Sequence, residues 1–197
     1  MNPMNEKLVC LRNKIRTMDL DAMIVSNPVN IKYLTNIDAE GILILGRKEN
    51  YYITDGRYIE AVNNTLTIMD GIIVCDVKDL SNEDNENFFL FCENVGFEEN
   101  YITYATYKKY MYKFKINNFV ETENIIEKQR AIKDEEEIRK ITKACNLTDK
   151  CFDYLKTFIK KGMTEKEIAD EIERYFKKNG ADGLSFETIV ASRTKFI

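Results

Sequence analysis

Up to Arg130 the chain keeps switching its hydrophobic period, and that switching restricts the folds open to it more than any other feature. Ala22-Met23-Ile24-Val25, Gly41–Leu45, Tyr51–Thr54, Gly71–Asp76, Asn94–Phe97 and Asn118–Glu121 are short β-rich runs of strand length. Between them, apolar residues recur three and four apart. Asn5–Met18 places Leu8, Leu11, Ile15 and Met18 on one helical face. Asn27-Pro28 opens a short helix, with Asn as cap, Pro in the first turn, and Ile31 and Leu34 on its apolar side. Arg57–Asn63, Asn82–Cys92 and Thr103–Met111 also carry helical patterns. Gly46-Arg47-Lys48-Glu49-Asn50 joins two of the runs as a polar hairpin loop. Strands alternating with helices predict an open α/β layer structure.

Near Ala131 the pattern changes. Ile138, Ile141, Cys145, Thr148, Phe152, Leu155 and Ile159 follow one another in steps that fit a long amphipathic helix ended by Gly162. Thr164-x-x-Glu167 reads as a capping box for a second helix with Ile168, Ile172 and Phe176 inward, ended by Gly180. Leu184–Ala191 returns to a strand pattern. The expected organisation is a first domain over 1–130 and, over 131–197, a helix–helix–strand piece whose layers lack partners to cover them.

The net charge of −4 is split, with −5 over 1–132 and +1 over 133–197, so neither part offers the basic face a phosphate backbone needs. A nucleic-acid partner is not expected. The lysine-interleaved aromatics from Tyr101 to Phe114 fit helix faces better than a stacking platform. No apolar run approaches the roughly 20 residues of a membrane span, and Met1–Cys10 has no signal-peptide core. The odd set Cys10, Cys75, Cys92, Cys145 and Cys151 contains no C-x-x-C pair, which predicts reduced thiols in a cytoplasmic protein. Asn146-Leu147-Thr148 is then a glycosylation pattern that never meets its machinery. There are no histidines, which removes imidazole bases and imidazole metal ligands from this chain.

Few residues suggest chemistry. Asp55-Gly56-Arg57-Tyr58 is either a loop offering Arg57 to a carboxylate of a substrate or neighbouring subunit, or a tight turn with Gly at its special position. Asp55, Arg57 and Tyr58 are the candidates for a substrate pocket or interface. Glu135-Glu136-Glu137 point in different directions on a helix and oppose its dipole rather than chelate. Cys145 and Cys151 face apart on one helix, and no phosphate-cradling glycine motif is present.

Five ordered blocks carry a resemblance. Asp21–Thr35 (DAMIVSNPVNIKYLT) resembles the opening strand and helix of the creatinase/prolidase N-terminal domain, and Tyr52–Tyr58 (YITDGRY) its second signature. Arg130–Ile138 is similar to the family's entry to its catalytic domain. Gly162–Ala169 is similar to that domain's second helix, and Gly183–Ser192 to the strand leading into the active site. The resemblance implies an N-terminal domain with a mixed sheet flanked by helices, followed by the start of a pita-bread catalytic domain. It implies an Xaa-Pro aminopeptidase or Xaa-Pro dipeptidase using two divalent metals, often manganese, to polarise the scissile carbonyl and activate a bridging water. The family's ligands, two Asp, one His and two Glu, lie after the strand ending at Ala191-Ser192, and Arg193–Ile197 departs from the pattern. No catalytic or metal-binding residue is therefore expected in this chain. Two functions follow: the N-terminal portion of a metal-dependent Xaa-Pro peptidase, inactive alone, or a non-catalytic module that dimerises or pairs with a full-length relative. A creatinase-like activity fits the Gly183–Ser192 block less well.

Overall fold

The computed structural model describes residues 6–46, 49–66, 71–80, 89 and 92–192. The chain divides into two compact units, Met1–Ile132 and Lys133–Ile197.

The first unit is a mixed six-stranded sheet between two layers of helices. Its elements are α1 (Glu6–Thr17), β1 (Ala22–Val25), α2 (Pro28–Thr35), β2 (Gly41–Leu45), β3 (Asn50–Thr54), α3 (Ile59–Leu66), β4 (Ile72–Asp76), β5 (Asn94–Phe97), α4 (Tyr104–Lys113), β6 (Asn118–Glu121) and α5 (Ile125–Ala131). The strand order is β4-β3-β2-β1-β5-β6. β2 pairs antiparallel with both β1 and β3, while β3–β4, β1–β5 and β5–β6 are parallel. The period-2 alternation of strands divides the core. Met23, Val25, Leu43, Leu45 and Tyr52 pack under Leu8, Leu11 and Ile15 of α1, Ile31 and Leu34 of α2, and Ile125 and Ile126 of α5. Ala22, Ile24, Ile44, Ile53, Val95 and Phe97 face the opposite layer with Phe114 and Phe119. All four residues of β1 are buried because both of its faces are covered.

Each strand expected in the first 130 residues forms, within a residue of its expected ends. The hairpin loop is tighter than expected, since Asn50 already pairs with Leu45 and Gly46 N donates to Glu49 O at 3.1 Å. α5 has no counterpart in the sequence pattern: its cap, Asn124, is left-handed and makes no side-chain cap bond. The helix expected over Asn82–Cys92 lies outside the described residues apart from Phe89 and Cys92.

The second unit is a helix pair, α6 (Glu135–Phe158) and α7 (Glu165–Lys178). Thr164 and Glu167 form the expected capping box, and Asp134 forms an unforeseen second one with Glu137. Gly162 and Gly180 follow the two helices with φ of 97° and 82°, a conformation glycine adopts without strain. One expectation fails. Leu184–Ala191 belongs to no strand, because a ladder needs a neighbour and none of the described residues supplies one. The apolar stripe expected on α6 is uncovered: Ile138, Ile141 and Phe152, with Ile159 just past the helix end, are exposed, while Cys151 is buried and Tyr154, Leu155 and Phe158 are half-buried.

Candidate functional site

Asp55–Tyr58 turns the corner between β3 and α3. Asp55 Oδ1 accepts from the Arg57 backbone N–H at 3.0 Å and from Arg57 Nε at 2.9 Å, and Tyr58 N donates to Asp55 O at 2.9 Å. These donors hold the Asp55 carboxyl below its usual range, and the carboxylate in turn raises the Arg57 guanidinium. The guanidinium lies 5.3 Å from the Tyr58 ring centroid and remains 70% exposed. Asp55, Arg57 and Tyr58 are thus together at one corner, with a rigid carboxylate presenting a solvent-facing cation. Gly56 has an ordinary negative φ, so glycine is not there for a left-handed turn. A Cβ at that position would lie 2.5 Å from Asp76 Oδ2, and Asp76 Oδ1 is engaged with Lys78 N at 2.9 Å. Close approach, not conformation, selects glycine. Beside Tyr58 is a cleft of about 240 Å³ walled by Pro28, Ile37, Asp38, Ala39 and Glu40.

A second polar group lies where the carboxyl ends of β1 and β5 part. Strands added after β1 go to one side through β2 and to the other through β5, the switch point at which open α/β sheets bind ligands. Here the chain's own polar groups meet beside a cleft of about 160 Å³ lined by Asn27, Glu98 and Glu127. Glu98 Oε2 accepts from Ser26 N at 2.6 Å and Asn27 N at 2.8 Å, and Oε1 accepts from Asn30 Nδ2 at 2.6 Å. Asn30 also donates to Glu127 Oε1 at 2.5 Å and accepts from Arg130 Nη1 at 2.9 Å. Burial pushes the Glu98 carboxyl above its usual range, and its three donors and nearby Glu127 only modify that effect. The network fastens α5, the last helix of the first unit, to the sheet. Sequence reading missed it because its members are separated by 68 to 100 positions.

In the second unit the buried Glu171 accepts from Tyr154 Oη at 2.7 Å and from Arg174 Nε and Nη2 at 2.8 and 2.6 Å, which lowers its pKa. Ser192 donates to Glu165 Oε1 through its backbone N at 2.6 Å and its hydroxyl at 2.8 Å. Among the described residues no group of three or more His, Cys, Asp or Glu side chains is arranged to hold a metal ion, and no helix is long and apolar enough to cross a membrane. Glu98 and Glu127, which approach one another, are occupied by backbone amides and the Asn30 amide. They do not fit a dimetal centre.

A mixed-sheet α/β domain followed by a capped helix pair is the architecture that begins the creatinase/prolidase metallopeptidases. The chain belongs to that family: the Creatinase/Prolidase N-terminal domain model matches residues 8–132 and the Metallopeptidase family M24 model matches residues 139–196. An uncharacterized peptidase of Bacillus subtilis, YqhT, is 31% identical over 192 residues, covering 94% of this chain and 53% of the relative. The Xaa-Pro dipeptidase from Bacillus anthracis superposes with a TM-score of 0.80 at 27% identity, over 92% of this chain and 51% of that one. The prolidase from Pyrococcus horikoshii has the same fold, with a TM-score of 0.77 at 24% identity over 95% of this chain and 52% of that one. The chain spans about half the length of the relatives it matches.

Proposed function

We propose that this chain supplies the N-terminal domain, over 1–130, and the first helical layer of the catalytic domain, over 131–197, of a cytoplasmic, metal-dependent peptidase that cleaves the bond before proline. The observation that supports this most is the ordered match through both units to peptidases about twice as long, one of them an Xaa-Pro dipeptidase. The metal pair, with manganese as the first candidate, is assigned to residues other than those described, among which no three or more ligating side chains are grouped. Asp55, Arg57 and Tyr58 act at a wall or subunit boundary, where the exposed guanidinium meets a carboxylate of the peptide or of a second copy in a homodimer.

The 197-residue chain should not hydrolyse Xaa-Pro peptides with added Mn²⁺, whereas a single-chain fusion to the unmatched remainder of the Bacillus subtilis relative should. Turnover by the short chain that survives repurification overturns the reading. A second reading, a non-catalytic pairing module, draws support from the bare face of α6 and predicts a stable homodimer or a complex with a full-length relative.

A further inference from the structure

α6 carries two apolar stripes. Leu147, Cys151, Tyr154 and Phe158 recur at steps of three and four, and Cys151 and Tyr154 lie against Glu171 and Tyr175 of α7. Ile138, Ile141, Phe152 and Ile159 form the other stripe, roughly 130° further around the helix at about 3.6 residues per turn. One stripe is covered and the other is not: Phe152 is 62% exposed. A helix that is apolar on two sides belongs between two layers. A second and independent feature lies in the same unit. Leu184–Ala191 has a strand's sequence pattern and joins no ladder among the described residues, with Phe186 at 74% and Ile189 at 84% exposure. Backbone of that kind asks for a sheet edge.

Resting on the peptidase reading, we propose that these two features form one docking surface. Its partner is a strand-bearing polypeptide that carries the complementary half of a metallopeptidase domain, and the docking needs no peptide bond between the two. The family model that matches this unit does so over residues 139–196, and the relatives continue for about as long again. A second copy of this chain answers the surface poorly, because it offers one more such segment, and two strands alone make a marginal ribbon. Both units have the local means to hold themselves ready: a layered core in the first, two capping boxes and the Tyr154–Glu171–Arg174 cluster in the second.

The test mixes the full 197-residue chain with the separately purified unmatched half of the Bacillus subtilis relative and follows sedimentation. A one-to-one complex with a Kd of about 1 μM or tighter is expected. The double substitution Ile141→Asp with Phe152→Asp should weaken it by at least about tenfold. Lys150→Asp, on another side of α6, should not, and all variants should keep the parent helix content by circular dichroism. If the single-chain fusion hydrolyses Xaa-Pro peptides while the separate halves do not associate, docking without a peptide bond is wrong and the peptidase reading stands. If the complex forms and responds to the double substitution but neither it nor the fusion turns over Xaa-Pro peptides, docking stands and the peptidase reading fails. If the short chain dimerises with itself through these residues, the surface takes a second copy and the proposal is overturned.

Discussion

The two units solve the same problem to different extents. In the first, each face of a six-stranded sheet is covered, and the polar ends of β1 and β5 are met by Glu98, Asn30, Glu127 and Arg130. In the second, two helices cover one stripe of each other and leave Ile138, Ile141, Phe152 and Ile159 to water. The same residue types therefore have different energetic weight in the two places. The sharpest way to break this comparison is a matched pair of truncations. Ile44→Ala, at a fully buried position of β2, should destabilise the first unit by about 3–4 kcal/mol through lost transfer energy and a cavity. Ile141→Ala should change stability by no more than about 0.5 kcal/mol. Urea unfolding of both variants decides it, and equal costs would mean that α6 is covered after all.

The Glu98 network sharpens the contrast from the polar side. Glu98→Gln places an NH₂ where Asn30 Nδ2 needs an acceptor, and should cost about 1–3 kcal/mol. Because the folded Glu98 pKa is raised, the wild-type carboxyl's favourable contribution is fully present below the ordinary Glu value of about 4.3 and fades as pH rises through the folded value. The wild-type advantage over the Gln variant should thus shrink from acidic toward neutral pH. An advantage that grows with pH would show that the three donors, not burial, set the carboxyl.

Gly56→Ala is a smaller perturbation. The new Cβ forces the Asp76 carboxylate aside and breaks its bond to Lys78 N, for an expected loss of about 0.5–1.5 kcal/mol. Asp76→Ala should make the Gly56 substitution nearly free, a non-additivity that a double-mutant cycle reads directly.

How much of this was legible depended on how local the cause was. β1 declared itself because four consecutive apolar residues suit a strand covered on both faces. Thr164 and Glu167 declared a capping box because its two bonds span three residues. The equivalent box at Asp134 was masked by the acidic run that follows it, which reads equally well as a dipole effect. The 3.6 period of α6 located its apolar residues, but period cannot say which of two stripes has a neighbour. Leu184–Ala191 has a strand's pattern, and a strand exists only with its partner. The Glu98 network was out of reach, since nothing near Asn30 in sequence announces Glu98, Glu127 or Arg130. At the Asp55–Tyr58 corner the turn was legible from its residues, but the reason for the glycine was not, since Asp76 lies 20 positions away in sequence.

The smallest stability effect belongs to that corner. Arg57 is bonded to Asp55 but mostly in solvent, and an exposed pair of this kind adds little to stability. Arg57→Ala should leave the unfolding midpoint of the first unit nearly unchanged, because the Asp55 carboxylate keeps its bond to the residue-57 backbone N–H and the turn survives. If the guanidinium is held by Asp55 to meet a carboxylate elsewhere, the same variant should weaken self-association, or raise KM in the active fusion, by about tenfold. Arg57→Lys should restore charge without restoring the fork and recover little of that loss. A variant indistinguishable from wild type in stability, association and KM would make the corner a turn and nothing more. A variant that is stable yet deficient would place function on a cation that the first unit holds rigid and leaves facing outward.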